Sequence, residues 1–280
     1  MPGITVRPAG AALGAEVTGV DLTAPLDTET VARLRGAWLD HLVLAFPDQK
    51  MSLDDLERFT RCFGEFGEDP FITPMPDRPH VIEVRREADE KASVFAAAWH
   101  SDWSFQETPP AGTVLFGKVI PPVGGDTLFC NMYAAYDALP DATKARIEGL
   151  KAVHSAGLAY APDGVYGEND GPDRSMTIRP DPRAHETRAH PIVKTHPETG
   201  RKALFVNPGY VRTVEGLSDE EAFFLLVELY EACHAETNVY RHKWRSDMLV
   251  MWDNRCTQHM ATGGYDGHAR LLHRTTIAGP

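Results

Sequence analysis

Three side chains from two distant stretches of the sequence could together bind one metal ion. In the stretch WHSDWSF, His100 stands two residues before Asp102. Side chains of a strand alternate between its faces, so an extended segment here would point this imidazole and this carboxylate to the same side. A second stretch, WDNRCTQH, ends at His259. Two histidines and one carboxylate on one face of an octahedral ion are the ligand set of non-haem Fe(II) oxygenases, so the pattern indicates a candidate iron site.

The residues alone leave other functions open. A histidine and an aspartate two positions apart occur by chance in many chains. The same three side chains could hold Zn²⁺ and activate water in a hydrolase. They could also belong to a sensor that binds a metal or an acid without turnover.

Composition limits the classes of partner. The 280 residues include 40 acidic and 28 basic side chains, for a formal net charge of -12. This charge disfavours nucleic acid and anionic membrane surfaces as partners, and no basic run offsets it. No window has the roughly 20 apolar residues that a membrane span requires. Four scattered cysteines without a C-x-x-C pair, together with the lack of a signal-peptide pattern, predict a cytoplasmic protein with reduced thiols.

The elements that would position the candidate ligands follow from hydrophobic periodicity and breakers. Two irregular segments, 64–80 and 156–189, are rich in glycine and proline and are interpreted as loops able to act as lids. Candidate ligands lie on both sides of every possible cut, so we expect one catalytic domain over residues 1–280. The patterns predict helices over 27–41, 52–63, 133–150 and 218–234, and strands over 4–6, 13–17, 20–22, 43–46, 81–84, 113–120, 127–130, 191–193, 204–206, 248–252 and 271–277.

The motifs around these residues resemble those of one known family. WHSDWSF at 99–105, GGDT at 124–127, VKTHPETG at 193–200, WDNR at 252–255 and RLLHR at 270–274 occur in the order typical of the taurine dioxygenase (TauD/TfdA) family of Fe(II)- and 2-oxoglutarate-dependent oxygenases. The resemblance extends from about Leu13 to Ile277. It implies mixed β structure with helices, in which a double-stranded β-helix, or jelly roll, forms the core and the helices pack outside.

The same resemblance assigns roles to individual residues. It implies that His100, Asp102 and His259 hold Fe(II), which uses 2-oxoglutarate and O₂ as cosubstrates. Arg270 would bind the distal carboxylate of 2-oxoglutarate through its planar fork, a geometry that lysine lacks. Thr127 would bind the same carboxylate. Arg270 in a surface ion pair and Thr127 as an ordinary strand residue are the alternatives.

The resemblance also bears on the substrate. Arg274 matches the arginine that binds the sulfonate in taurine dioxygenase, which predicts a small anionic organic substrate; a structural salt bridge is the alternative. Tyr160 and Tyr210 fall where the family has aromatic residues beside the substrate. Where taurine dioxygenase has polar residues for the amine, this chain has Ala96, Asp69 and Ile72. An apolar organic acid is therefore expected rather than an amino-sulfonate.

By analogy with the family, we expect a homodimer or homotetramer.

Overall fold

The computed structural model describes residues 3–168, 170–171 and 173–279, and within these ranges it combines β-strands with α-helices. The helices are α1 (Thr28–His41), α2 (Leu53–Arg61), α3 (Met132–Asp137), α4 (Asp141–Ile147), α5 (Gly157–Tyr160) and α6 (Asp219–Cys233). The strands are β1 (Thr5–Pro8), β2 (Ala15–Thr18), β3 (Val43–Phe46), β4 (Ile82–Arg86), β5 (Gly112–Val119), β6 (Thr127–Asn131), β7 (Lys151–Ser155), β8 (Thr187–Pro191), β9 (Val193–Thr195), β10 (Lys202–Leu204), β11 (Val211–Val214), β12 (Val239–His242), β13 (Met248–Asp253), β14 (Thr257–Ala261) and β15 (Arg270–Ile277). Two 3₁₀ turns cover Pro182–His185 and Glu236–Asn238.

A seven-stranded sheet in the order β1-β2-β3-β13-β5-β15-β4 forms the larger layer. Its pairs are antiparallel except for β2 and β3. Strand β13 is buried along its whole length and alternates between two cores. Val250 and Trp252 face one hydrophobic cluster, whereas Leu249 and Met251 face another that includes residues of α1 and α2. The sheet is therefore covered by helices on one side and by the site-bearing layer on the other.

The smaller sheet that carries His259 has the order β12-β6-β14. Phe129 of β6 belongs to the same cluster as Trp252 and Leu115 of the large sheet, so this cluster joins the two layers. Two further small sheets, β11-β7-β8 and β10-β9, extend the structure. None of the helices in the described ranges is both long and apolar enough to cross a bilayer.

Local sequence signals explain where the principal helices begin. Ser52 and Asp55 form a capping box at α2, and Ser218 and Glu221 form another at α6. Each serine hydroxyl accepts the N–H of the acidic residue, whose carboxylate in turn accepts the serine N–H, so two otherwise free donors are satisfied. Asp27 caps α1 through the N–H of Thr30. These helices confirm the starts predicted from the sequence.

Several predicted elements differ in the structure. The helix predicted over 133–150 divides at Pro140, because proline has no N–H to continue a helix. The strand predicted over 20–22 is absent, because Val20 and Asp21 have no regular structure and Leu22 begins a turn. The strand predicted over 204–206 ends at Leu204, and β11, β12 and β14 were not predicted. The segment 156–189 is less irregular than expected, since it contains α5, a 3₁₀ turn and the start of β8, while residues 169 and 172 lie outside the described ranges. The segment 64–80 contains only isolated bridges and turns.

Candidate metal centre and adjoining cavities

A short backbone bridge brings the two candidate histidine ligands together. The N–H of His100 donates to the carbonyl of His259 (3.0 Å), and the N–H of His259 donates to that of His100 (2.8 Å). The two imidazole centroids lie 4.2 Å apart. The prediction that Asp102 shares an extended strand with His100 is wrong, because the chain turns at Asp102 and the next residue, Trp103, has a φ of 47°. The turn nevertheless directs the carboxylate towards both imidazoles.

The three candidate ligands form one buried cluster. Their ligand atoms all lie within 4.8 Å of one another. Asp102 Oδ1 is 3.6 Å from Nε2 of His100 and 3.9 Å from Nε2 of His259. Two ligands about 2.1 Å from one ion and at right angles to each other would be about 3 Å apart, so small side-chain movements would close the set around an ion. Two nitrogens and one oxygen suit Fe(II) and leave positions open for other ligands. The site therefore fits the metal that the sequence implies.

Hydrogen bonding and burial prepare these side chains to bind a cation. His100 Nδ1 lies 2.8 Å from the carbonyl of Ala98, so donation there leaves the Nε2 lone pair free. Burial, aided by the neighbouring His100, lowers the pKa of His259 to about 3, and a neutral imidazole is the form that binds metals. Burial alone would oppose ionisation of Asp102, but the Arg274 guanidinium and both imidazoles hold the pKa of its carboxyl well below its usual range.

Arg274 lies inside the same site. Its Nη2 is 3.1 Å from Asp102 Oδ1 and 3.5 Å from Asp69 Oδ1, and its guanidinium lies 4.8 Å from the centre of the Trp103 ring. The residue is 5% exposed, yet within the described ranges neither its Nε nor its Nη2 makes a well-formed hydrogen bond. The structure thus shows the salt bridge considered as an alternative, and it also leaves donors available for another anion.

Arg270 and Thr127 line a small cavity of about 50 Å³ together with His100, His259 and Arg274. Arg270 is 6% exposed, and no carboxylate lies within salt-bridge distance of it in the described part of the chain. Its Nη2 donates to the carbonyl of Gly125 (3.1 Å), whereas its Nε has no hydrogen-bond partner there. A buried guanidinium without a counter-ion is costly. This cavity therefore fits a ligand that brings a carboxylate, as 2-oxoglutarate does.

A larger cavity of about 400 Å³ shares His100 and Ala96 with the small one. Apolar side chains such as Val94, Leu158 and Val165 dominate its lining. Tyr160 and Tyr210 also line it and are 2% and 5% exposed. The structure therefore brings both tyrosines to a cavity beside the candidate ligands.

Sequence reasoning missed two residues that shape these cavities. Trp244 donates from Nε1 to Thr127 Oγ1 (3.0 Å), which leaves the threonine proton for another acceptor. Tyr166 lines the larger cavity, and its hydroxyl accepts the N–H of Ala96 (2.9 Å). Neither residue lies in a motif with ligand-like spacing, so only the folded chain identifies them.

A second cluster of potential ligands is fully occupied by its own contacts. His196, Asp253 and Cys256 have potential ligand atoms within 4.8 Å of one another. However, Asp253 accepts hydrogen bonds from Arg255 on both oxygens and from His196 Nε2 (3.0 Å). His196 Nδ1 accepts the N–H groups of residues 198 and 199. No lone pair of these two side chains is left for a cation, so the cluster is a buried ion-pair network.

Comparison with known proteins agrees with this geometry. The family model described as "Taurine catabolism dioxygenase TauD, TfdA family" matches residues 5–276. An (S)-phenoxypropionate/alpha-ketoglutarate-dioxygenase of Sphingobium herbicidovorans is 34% identical, with 99% of this chain and 96% of the relative covered. An alkylsulfatase of Acinetobacter baylyi is also 34% identical, with coverage of 95% and 82%. The crystal structure of AAD-2 in complex with Mn(II) and N-oxalylglycine superimposes with a TM-score of 0.81 at 30% identity, covering 99% of this chain and 98% of the other.

Proposed function

Because the chain belongs to the taurine catabolism dioxygenase TauD, TfdA family and is an Fe(II)- and 2-oxoglutarate-dependent dioxygenase, we propose that it hydroxylates a small, largely apolar organic acid. The candidate classes are sulfonates, sulfate esters, aryloxyalkanoates and similar acids. The names of the phenoxypropionate dioxygenase and the alkylsulfatase support an anionic substrate. The apolar lining of the larger cavity supports a hydrophobic body behind the acid group.

Within this proposal, His100, Asp102 and His259 hold the iron, and Arg270 and Thr127 hold the distal carboxylate of 2-oxoglutarate. When bound, Fe(II), 2-oxoglutarate and O₂ supply the oxidising power, so that the cosubstrate leaves as succinate and CO₂ while a C–H bond of the substrate is hydroxylated. Hydroxylation beside a heteroatom gives a product that collapses with cleavage of the C–S or C–O bond.

The chain's own residues orient the substrate. Arg274 attracts the acid group to the small cavity, which it lines together with His100 and His259 and which adjoins the larger cavity at His100 and Ala96. Tyr160 and Tyr210 form the wall next to His100. They exclude water from the reacting carbon and fix the apolar body, since aromatic side chains offer large rigid contact surfaces.

We further infer the architecture and assembly from these observations. Packing of the β12-β6-β14 sheet against the seven-stranded sheet supports a double-stranded β-helix core. The match over residues 5–276 supports one catalytic domain over residues 1–280. Within it we infer lids at 64–80 and 156–189, since Leu158 and Val165 of the second segment line the larger cavity. Phe223 and Phe224 of α6 are each 62% exposed, which supports a homodimer or homotetramer. The four free cysteines support a cytoplasmic protein.

The observation that carries the proposal is the buried Arg270 guanidinium, which has no carboxylate partner among the residues that the structure describes and lies in one cavity with His100 and His259. The test is an anaerobic spectrum of the protein with Fe(II) and 2-oxoglutarate, followed by additions of sulfonates, sulfate esters, aryloxy acids and phosphonates. We expect a charge-transfer band that one class perturbs, and succinate release that this class increases. A band that responds to none of the acids would contradict the substrate proposal. Succinate release that none of these acids increases would likewise contradict the substrate proposal.

A further inference from the structure

Three buried hydrogen bonds form a chain that ends on the carboxylate of Asp102. Trp252 Nε1 donates to Asn254 Oδ1 (2.9 Å), and Asn254 Nδ2 donates to Thr113 Oγ1 (2.9 Å). Thr113 Oγ1 donates to Asp102 Oδ2 (2.6 Å). All four residues are at most 2% exposed. Among the described residues, this hydroxyl is the only donor that makes a well-formed hydrogen bond to the Asp102 carboxylate.

The indole of Trp252 sets the direction of every hydrogen bond in this series. An indole N–H can only donate, so the atom of Asn254 that faces Trp252 must be its carbonyl oxygen. The amide nitrogen of Asn254 then faces Thr113 and donates to its hydroxyl oxygen. The hydroxyl proton of Thr113 is thereby left to point at Asp102.

Adjacent strands hold the residues of this hydrogen-bond series in place. Thr113 on β5 lies directly opposite Trp252 on β13 in the antiparallel register, and Asn254 immediately follows β13. The N–H of Asn254 is also bound to the carbonyl of Ala111 (3.0 Å). Asp102 itself lies in a turn, so its carboxylate depends on a contact from the sheet for a fixed orientation.

We propose that Thr113 is a positioning residue that selects which oxygen of Asp102 binds the metal. With Oδ2 bound to the hydroxyl, Oδ1 is the oxygen that faces His100 and His259, at 3.6 and 3.9 Å. Arg274 Nη2 also approaches Oδ1, at 3.1 Å, and attracts the same oxygen away from an ion. The Thr113 hydrogen bond opposes rotation of the carboxylate towards the arginine. Partners behind a metal ligand commonly change metal affinity about 10- to 100-fold.

The test measures Mn(II) binding to the metal-stripped full chain, without cosubstrate, from the EPR signal of free Mn(II). Thr113→Val keeps the shape of the side chain but removes the hydroxyl, and we expect it to weaken Mn(II) binding by about 10- to 100-fold. Thr113→Ser restores the hydroxyl and should bind close to wild type. The matched control is Thr60→Val, because Thr60 is equally buried and shares its hydroxyl with Thr275 (2.7 Å). Thr275 follows Arg274 on β15, so its side chain points to the opposite face of the strand. This control should bind Mn(II) as wild type does.

The outcomes separate this inference from the proposed function on which it rests. If wild-type protein binds no Mn(II), the assignment of the three ligands fails. If wild type binds but Thr113→Val binds equally well, or Thr113→Ser is as weak as Thr113→Val, the positioning role of the hydroxyl is refuted. Thermal unfolding of the metal-free variants serves as the second measurement. Should Thr113→Val not fold, Thr113→Ala carries the same expectation.

Discussion

Replacement of Arg270 by methionine should have opposite effects on cosubstrate binding and on folding. The guanidinium is buried, has no carboxylate partner within the described ranges, and makes one hydrogen bond, to the Gly125 carbonyl. Burial accordingly lowers the pKa of the Arg270 guanidinium. The metal-free, ligand-free protein therefore contains a desolvated charge, and its removal should leave the free energy of unfolding unchanged or raise it.

The affinity for 2-oxoglutarate should fall steeply in the same variant. Loss of one partner of a buried, hydrogen-bonded charge pair costs about 2–5 kcal/mol. At about 1.4 kcal/mol per factor of ten, the dissociation constant would rise by about 30- to 4000-fold. Arg270→Lys keeps the charge without the two-pronged geometry and should fall between wild type and Arg270→Met.

Arg255→Met provides the matched control. This arginine is also largely buried, but it is paired with Asp253 and with Glu198 (2.7 Å). Its loss leaves the Asp253 carboxylate without its principal counter-ion, so the free energy of unfolding should fall by about 3 kcal/mol. Binding of 2-oxoglutarate should change little at a temperature where the variant is folded.

The two assays are isothermal titration with 2-oxoglutarate under anaerobic conditions and urea unfolding of the metal-free proteins. The reasoning would be refuted if Arg270→Met bound 2-oxoglutarate as tightly as wild type. It would equally be refuted if Arg270→Met lost as much stability as Arg255→Met, because Arg270 would then be a structural ion-pair residue.

Three further changes test other parts of the site and fold. Arg274→Gln should raise the Michaelis constant of the best acidic substrate by about 10- to 100-fold, the value of a charge-assisted hydrogen bond; an unchanged constant contradicts its anion-binding role. Leu158 lines the larger cavity and is 60% exposed. Leu158→Asp should therefore weaken binding of apolar acids without shifting the melting temperature. A lower melting temperature would show instead that Leu158 supports the fold. Burial lowers the pKa of His154 to about 3 from its ordinary value of 6.5. Between these pH values the unfolded protein therefore binds one more proton than the folded protein. The free energy of unfolding then falls by up to about 1.4 kcal/mol for each unit that the pH drops through this window. His154→Gln should reduce that slope by about one proton in urea titrations, and an identical slope would mean that His154 is protonated in the folded protein.

Local chemistry made part of this fold predictable. The capping boxes at Ser52 and Ser218 mark helix starts because their hydrogen bonds involve residues only three positions apart. Buried strands such as β3 and β13 appear in the sequence as continuous apolar runs. The break at Pro140 could have been read from the same rules, since proline ends a helix that would otherwise continue.

The geometry of the site was less predictable because it depends on pairings between distant residues. Motifs predict His100, Asp102 and His259 as candidate ligands, yet the strand assumed for the first two is a turn, and β14 was not predicted. No local pattern links Thr113 to Asp102, although they share a 2.6 Å hydrogen bond. Such contacts arise from sheet register, which the hydrophobic pattern of a single strand does not determine on its own.

The backbone bridge between His100 and His259 also has a consequence for folding. It joins two segments that lie far apart in the sequence, and such contacts are slow to form because a long loop must first close. A folding intermediate without the bridge does not hold His259 beside His100 and Asp102, so the proposed iron site is incomplete in it. Metal retention would therefore report that this region has finished folding.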